Sequence, residues 1–358
     1  MKWNDDLTGA QLPRRRLTLQ LALYAMHLGN GGSLLCCTIK AGTIAKYLQA
    51  VGNFLQRLHP EQIDPRRVHD ADKQLAPPIK AVLTELECWE TVPNRREPYT
   101  LQMQATLQTW IVGVNSDSYY AACVDWFLLG LYLGLRRSEW AQSRANYRLG
   151  SHQMNRLPTP QPQAFLLGDF EFRDVSGRRV PHSELLTIDP SRLRKLFVTF
   201  RTQKNGQNGE QRLVTAQWDK DQSELNAVAA GLSIVRRHYR LMGNQLNYDT
   251  PLAIHRTGGS VPLYITDDGI EQTMRSLAQH TYQLDPVKDA AAIQRWSSHS
   301  LRVGGCVILH SMGLTPTQIQ HLLRWRSNAF QTYLRNTTVL SDNQARTILA
   351  AASNPDAF

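Results

Sequence analysis

The sequence lacks the cysteine patterns that hold zinc or build a disulfide framework. Its five cysteines form no CxxC pair and no CxxC…HxxxH spacing, and their number is odd. Such cysteines are typical of a reducing compartment. We therefore expect an intracellular protein, in the nucleus if the host is a eukaryote and in the cytoplasm or nucleoid if it is a prokaryote.

Long apolar runs and cofactor motifs are missing as well. No uninterrupted apolar stretch approaches the roughly 20 residues that a membrane-spanning helix needs, and the N-terminus MKWNDDLTGA is too polar for a signal peptide. There is also no P-loop and no cluster of carboxylates that could hold a metal ion. We predict a soluble protein with no membrane partner, no metal and no cofactor.

The sequence does carry an excess of positive charge. Lys and Arg number 40 against 30 Asp and Glu, which gives a formal net charge of +10. This balance favours a polyanionic partner such as DNA or RNA. A solvated basic surface without such a partner explains the composition equally well, so the charge alone does not decide.

The length and the hydrophobic pattern predict two domains. A chain of 358 residues with 42% apolar residues can bury more than one core. Residues 1–91 contain apolar residues at helical spacing and predict an all-α domain. The segment ETVPNRREP (Glu90–Pro98) combines two prolines with adjacent arginines and predicts a linker. We place the boundary near residue 92, so that the second domain spans residues 92–358.

The second domain is predicted to be α+β, in a chain that is mainly α with a small antiparallel β-sheet. Four segments between Phe165 and Trp218 have strand character: FLLGDFEF, LLTI, LFVTF and RLVTA. The turn KNGQNGE between the last two is typical of a hairpin. Helical patterns occupy the rest of the domain, among them the apolar segment YYAACVDWFLLGLYLGL and the terminal segment Ser341 to Ala352.

Two polar motifs lie on predicted helices. In HSLR, the i, i+3 spacing of His299 and Arg302 places the imidazole and the guanidinium on one face, where both could bind one phosphate. In GLRRSE, Arg136 follows an apolar helix and Glu139 stands one turn further on, where it could orient the guanidinium. Taken singly, the first motif is more often a surface pair. The alternative for the second is an ordinary helix end with arginines in solvent, which suits Arg137 better than Arg136.

Two further motifs involve a hairpin and an aromatic pair. Lys204 lies at the tip of the predicted hairpin, where its ammonium could reach into a DNA groove and protonate a leaving oxygen. Trp325 and Tyr333 lie among arginines, and a tyrosine with a free pKa near 10 needs neighbouring positive charge to attack phosphorus. A solvated lysine and core aromatics are the simpler interpretations of each motif alone.

Together, in this order, the motifs resemble the catalytic domain of the tyrosine recombinases of the phage-integrase type. The resemblance covers about Tyr99 to Thr337, and the N-terminal helices resemble the SAM-like core-binding domain of that family. The segments FRTQKNGQNGE and LLRWRSNAFQTYLR are most similar to recombinases of eukaryotic mobile elements of the DIRS or Crypton kind. Trp325 precedes Tyr333 by eight residues, one fewer than in many bacterial members.

The resemblance implies a site-specific recombinase or integrase that cleaves and rejoins DNA through a 3′-phosphotyrosyl intermediate. It implies Tyr333 as the nucleophile and Glu139 as the supporting acid. It also implies a set of groups that bind the phosphate or move protons: Arg136, Lys204, His299, Arg302 and Trp325. It further implies a homotetramer on two synapsed recombination sites, in which the terminal helix could contact either a neighbouring subunit or its own.

Basic residues in the N-terminal helices, the linker and the motifs are candidates for contacts with double-stranded DNA: Lys40, Lys46, Arg95, Arg96, Arg201, Arg324 and Arg326. Two other functions stay open. One is a catalytically silent DNA-binding protein on a recombinase scaffold, although no chemical residue of the pattern is missing. The other is a type IB topoisomerase, which shares the chemistry; the separate core-binding domain and the HxxR motif favour the recombinase.

Overall fold

The computed structural model describes residues 14–32, 38–60, 64–68, 74–90, 95–142, 164–201, 208–216, 225–258, 261–325 and 330–334, and of residues 14, 332 and 333 it describes the backbone only. The chain divides into two compact units, Met1–Asn94 and Arg95–Phe358. Among these described residues, no helix is both long and apolar enough to cross a bilayer.

The described part of the first unit contains three helices: α1 (Arg14–Gly29), α2 (Ala41–Leu58) and α3 (Pro77–Trp89). Their apolar residues recur at helical spacing and meet in one small core, in which Ala25, Ile44 and Ile79 are fully buried. The helical spacing predicted from the sequence is present in these three helices. Pro77 and Pro78 occupy the first turn of α3. Proline is tolerated there because the N–H groups of a first turn have no acceptor within the helix.

The second unit is mainly helical with a small antiparallel sheet, as the sequence predicts for the chain as a whole. Its helices are α4 (Leu101–Thr109), α5 (Tyr119–Leu133), α6 (Ala227–Leu241), α7 (Asp267–Tyr282), α8 (Ala290–Ile293), α9 (Ser300–Ser311), α10 (Pro316–Leu322) and α11 (Gln331–Leu334). Its strands are β1 (Phe170–Asp174), β2 (Arg179–Val180), β3 (Leu193–Phe200), β4 (Glu210–Thr215), β5 (Ile254–His255) and β6 (Leu263–Tyr264).

The larger sheet has the strand order β2-β1-β3-β4, with every pair antiparallel. Strands β1 and β3 bury alternate residues, and α6 packs against the sheet. The predicted hairpin is β3–β4, whose register pairs Phe200 with Glu210. Strands β5 and β6, which the sequence analysis did not predict, form a separate two-stranded sheet.

One predicted strand is wrong. The segment LLTI contains a 3-10 turn, Glu184–Leu186, instead of a strand. The carbonyl of Leu185 accepts a hydrogen bond from Arg236 Nε of α6 at 2.9 Å. In a strand, this carbonyl would accept a backbone N–H of a neighbouring strand instead. The segment FLLGDFEF is also a strand only from Phe170 onward, because Leu167–Asp169 forms another 3-10 turn.

Helix α9 packs very closely against the middle of the unit. A Cβ atom on Gly304 would lie 2.1 Å from the carbonyl oxygen of Tyr99, and one on Gly305 would lie 2.5 Å from that of Leu131 in α5. Both distances are far below van der Waals contact, so only glycine permits this approach. The two glycines therefore fix the N-terminal end of α9 beside the C-terminal end of α5.

Candidate active site

The C-terminal end of α5 presents the first arginine of the site. The helix ends at Gly134, which has a left-handed φ of 56° that glycine adopts without strain. Arg136 follows in extended conformation, before a 3-10 turn that carries Glu139. Glu139 Oε2 accepts the backbone N–H of Arg136 at 2.7 Å, and Oε1 accepts Arg136 Nη1 at 3.0 Å. The predicted contact is therefore present, and it leaves the Arg136 side chain 20% exposed.

The buried carboxylate of Glu139 holds a second arginine, Arg324. Its Nη1 and Nη2 donate to Glu139 Oε1 and Oε2, each at 3.0 Å, and its guanidinium carbon lies 3.5 Å from the ring centroid of Phe200. The Arg324 side chain is fully buried. The prediction that Arg324 contacts DNA is not retained, because the carboxylate of Glu139 binds both terminal nitrogens of this fully buried guanidinium.

Glu139 is charged in spite of its burial. Desolvation alone would raise the pKa of its carboxyl group. The hydrogen bonds and charges of Arg324 and Arg136 outweigh that effect and lower the pKa below its usual value. One anion between two guanidinium groups therefore leaves net positive charge at this end of α5.

The start of α9 presents the second arginine of the site. His299 is the residue immediately before the helix, and Arg302 is buried in its first turn. Arg302 Nη1 donates to the carbonyl of Gly134 at 2.5 Å, and Nη2 donates to the carbonyl of Leu323 at 3.2 Å. Its guanidinium carbon also lies 4.3 Å from the ring centroid of Trp325. Two carbonyls and an indole thus orient this side chain.

His299 lies among these cations. Its ring faces the edge of Trp325, with 6.4 Å between the centroids and 79° between the planes. Burial, together with the positive charges of Arg302, Arg96 and Arg136, lowers the pKa of His299 to about 4. The imidazole is therefore neutral near pH 7. Arg136 and Arg302 are 166 positions apart in the sequence, and they meet at the end of α5, where Arg302 Nη1 binds the carbonyl of Gly134, two residues before Arg136.

Two of the predicted catalytic side chains lie outside the described residues. For Tyr333 the backbone is described, and it belongs to α11, which packs against α9. Buried Phe330 and Leu334 attach α11 to a small apolar core with Ile319. Lys204 lies in the sequence between β3 and β4, within residues 202–207, which are outside the described residues. Their roles stay predictions.

The other predicted DNA contacts are distributed over both units. Lys40 and Lys46 are exposed at the start and in the second turn of α2 in the first unit. In the second unit Arg95 and Arg96 are exposed, and Arg96 Nη1 donates to the carbonyl of Gln294 at 2.8 Å. Arg201 Nε donates to Asp169 Oδ2 at 2.9 Å, with its side chain 38% exposed. Arg326 lies outside the described residues.

The sequence analysis did not indicate the structural partners of these groups. Gly134 contributes a carbonyl to the site, Phe200 supports Arg324, and Arg96 adds its charge to the surroundings of His299. Gly134 and Phe200 lie in the motifs GLRRSE and FRTQKNGQNGE and Arg96 lies in the predicted linker, but none of the three was assigned a role in orienting the catalytic groups. The sequence predicted only one of the two arginine partners of Glu139, namely Arg136, and it did not predict the pairing with Arg324.

Comparisons with known proteins give remote structural similarity only. No protein-family model matches the chain, and no curated protein does. Among solved structures, it is similar to the Tn1549 transposon integrase in complex with transposon right end DNA, at 14% identity and a TM-score of 0.46 over 93% of this chain and 85% of that one. It is also similar to the XerH site-specific recombinase bound to a palindromic difH substrate, at 11% identity and a TM-score of 0.42 over 96% of this chain and 72% of that one. Similarities at this level do not assign a family or a function.

Proposed function

We propose that this protein is a tyrosine-type site-specific DNA recombinase. The observation that carries the proposal is the convergence of Arg136, His299, Arg302 and Trp325 in the second unit, from three separate stretches of the sequence, through the Gly134 carbonyl and the contacts of Trp325. Two guanidinium groups, an imidazole and an indole around one point provide hydrogen-bond donors for a phosphodiester. The two guanidinium groups supply positive charge, and the neutral imidazole and indole supply N–H donors, to a transition state in which negative charge is spread over the phosphate oxygens.

The nucleophile in this proposal is Tyr333. Its phenolic oxygen attacks the phosphorus in line, a 3′-phosphotyrosyl bond forms, and the bond to the 5′ oxygen of the next nucleotide breaks. The phenolic proton passes to water as the new bond forms, and His299, which is neutral near pH 7, donates a hydrogen bond to a phosphate oxygen. Lys204 protonates the leaving 5′ oxygen. Rejoining reverses these steps with a 5′-hydroxyl of another strand.

DNA is the partner in this proposal. Exposed basic residues in both units, among them Lys40, Lys46, Arg95 and Arg96, contact the phosphate backbone. Exchange of strands between two sites requires two active subunits at each site, so the proposed assembly on DNA is a homotetramer. The similarity of two sequence segments to recombinases of mobile elements suggests that the protein serves such an element.

Trapping on a suicide DNA substrate tests this proposal. A nicked duplex from the ends of the host element loses a short oligonucleotide after cleavage, so the covalent complex accumulates. We expect an adduct with wild-type protein in the presence of EDTA, and none with Tyr333→Phe, because phenylalanine has no nucleophilic oxygen. A suitable control is Tyr132→Phe, which removes a half-exposed hydroxyl bonded to the carbonyl of Leu225.

Three outcomes would contradict the proposal. An adduct that persists in Tyr333→Phe would assign the nucleophile elsewhere. An adduct that requires a divalent metal would contradict the metal-free chemistry. Ready relaxation of a supercoiled plasmid that lacks any cognate site would favour a type IB topoisomerase, because such enzymes need no specific sequence.

A further inference from the structure

Arg324 has an unusual backbone conformation and a fully enclosed side chain. Its φ of +58° lies in the left-handed region, which residues other than glycine seldom adopt. Its side chain is not exposed at all. A strained backbone at a buried charge persists only where the surrounding contacts favour it strongly. The contacts of this guanidinium therefore indicate what the residue does.

Those contacts reach both arginines of the proposed site. Through the two bonds to Glu139 at 3.0 Å, Arg324 fixes the carboxylate that also binds Arg136. Its Nη2 lies 3.4 Å from the carbonyl oxygen of Gly134, the same oxygen that accepts Arg302 Nη1. Arg324 therefore contacts both orienting groups: the Glu139 carboxylate, which binds Arg136, and the Gly134 carbonyl, which binds Arg302.

Arg324 is also connected to the aromatic side of the site. It directly precedes Trp325, whose ring lies against Arg302, and the preceding carbonyl, that of Leu323, accepts Arg302 Nη2. The left-handed turn at Arg324 consequently directs one carbonyl and one indole toward the same guanidinium. The planar guanidinium of Arg324 lies 3.5 Å from the ring centroid of Phe200, which fixes its plane.

We propose that Arg324 is a positioning residue that sets the separation and orientation of Arg136 and Arg302 for one phosphate. The inference rests on the proposed recombinase function, because it concerns the geometry of that site. Arg324 acts through Glu139, through the Gly134 carbonyl and through the turn before Trp325, and it does not touch the DNA. Lysine cannot replace it, because an ammonium is a point charge without the paired donors that bind both oxygens of Glu139.

A purely stabilising role is the alternative, and the chain offers a matched control for it. Arg237 is another buried arginine, 4% exposed, which pairs with Asp125 at 2.5 Å in the middle of α5. Nine residues of helix separate Asp125 from Gly134, or about 13 Å at the helical rise. Arg237→Lys therefore weakens a comparable pair away from the site.

The experiment compares wild type, Arg324→Lys, Arg324→Gly and Arg237→Lys by single-turnover cleavage of the suicide substrate and by DNA affinity, at a temperature where each protein is folded. Glycine relieves the positive φ and leaves space for a small cation. We expect both Arg324 variants to cleave at least about tenfold more slowly, since small misplacement of charge-stabilising groups can cost about a hundredfold. Their DNA affinity should stay within about twofold, as for lost transition-state interactions.

Chemical rescue separates positioning from stability. Ethylguanidinium should restore cleavage by Arg324→Gly in a saturable manner, whereas ethylammonium should not, because only the former has the planar donors for Glu139. Arg237→Lys should cleave at the wild-type rate. Equal rates in Arg324→Gly and Arg237→Lys would overturn the inference. So would equal rescue by both cations, or a parallel loss of DNA affinity, which would make Arg324 a DNA contact.

A second measurement keeps this inference distinct from the proposed function. If the wild-type protein forms no adduct with any substrate, the recombinase proposal fails. The positioning role is then tested on the DNA-free protein by NMR of the Glu139 carboxyl carbon and of Arg136 Nε. Arg324→Gly should raise the pKa of Glu139, because the hydrogen bonds and charge of Arg324 hold it down, and should shift the Arg136 resonance. Unchanged signals in both groups would overturn the inference.

Discussion

Replacing Glu139 by glutamine should destabilise the second unit strongly. The carboxylate accepts four hydrogen bonds, from the backbone and side chain of Arg136 and from two nitrogens of Arg324. Glutamine has one acceptor oxygen, and its amide N–H groups would face guanidinium donors. Arg324 would then be a buried cation without a counter-charge. Breaking a buried pair in this way costs about 3–5 kcal/mol.

The corresponding change in Tm is large enough to measure. In a domain of roughly 150–250 residues each kcal/mol shifts Tm by about 2–4 °C, so we expect a loss of about 6–20 °C. Near-ultraviolet circular dichroism can follow it, because Trp126 and Trp140 are buried and stacked in this unit with 5.1 Å between their rings. Glu184→Gln is the control: Glu184 pairs with Arg178 at the surface, where solvent screens the charges and such a pair contributes little to stability.

The pH dependence adds an independent check. The pKa of Glu139 is lower in the folded protein than in the unfolded chain, so its stabilisation is complete above about pH 4.3 and is lost as the pH falls through the folded pKa. The difference in Tm between wild type and Glu139→Gln should therefore be constant from pH 6 to 8 and shrink in more acidic buffer. A loss no larger than that of Glu184→Gln, or one that persists undiminished in acid, would refute this account of the carboxylate.

Three further predictions concern packing, protonation and phosphate binding. Gly304→Ala should cost about 1–3 kcal/mol, because the new methyl group would overlap the Tyr99 carbonyl, whereas Gly42→Ala, in open space on α2, should stabilise by about 0.5–1 kcal/mol; chemical denaturation measures both. The NMR signals of His299 should show no titration between about pH 5 and 8, and stability should fall as acid approaches its folded pKa of about 4 from the unfolded value near 6.5. A titration midpoint near pH 6.5 for His299 would contradict both its burial and the positive charges of the arginines near it. Arg302→Lys should slow single-turnover cleavage at least about a hundredfold at a temperature where the variant is folded, since lysine keeps the charge but not the fork; an unchanged rate would remove Arg302 from the proposed site.

The sequence predicts local features of this protein well. The hairpin β3–β4 follows from two strand-like segments around a Gly/Asn turn, and the position of His299 and Arg302 at the start of α9 follows from their spacing. Each of these predictions depends on residues that are close in the sequence. The mainly helical chain with a small antiparallel sheet is confirmed on the same basis.

Features that depend on distant residues were predicted poorly. The segment LLTI has strand composition, but Arg236 takes one of its carbonyls and a 3-10 turn forms. Arg324 lies in a basic stretch of the sequence and was predicted to be a surface residue. Its partner, Glu139, is 185 positions away in the sequence. Nothing local distinguishes a buried arginine from an exposed one, since the difference depends on which carboxylate the fold brings near.

That separation has a consequence for the order of events during synthesis. A ribosome adds about 5–20 residues per second, so roughly 10–40 s pass between the appearance of Glu139 and that of Arg324. During this interval α5 can form and Glu139 can bind Arg136, but Arg324, the second arginine that binds this carboxylate, has not yet been synthesised. Arg324 thus completes the buried ion pair late in synthesis, and a translation product that stops before it leaves Glu139 without this partner.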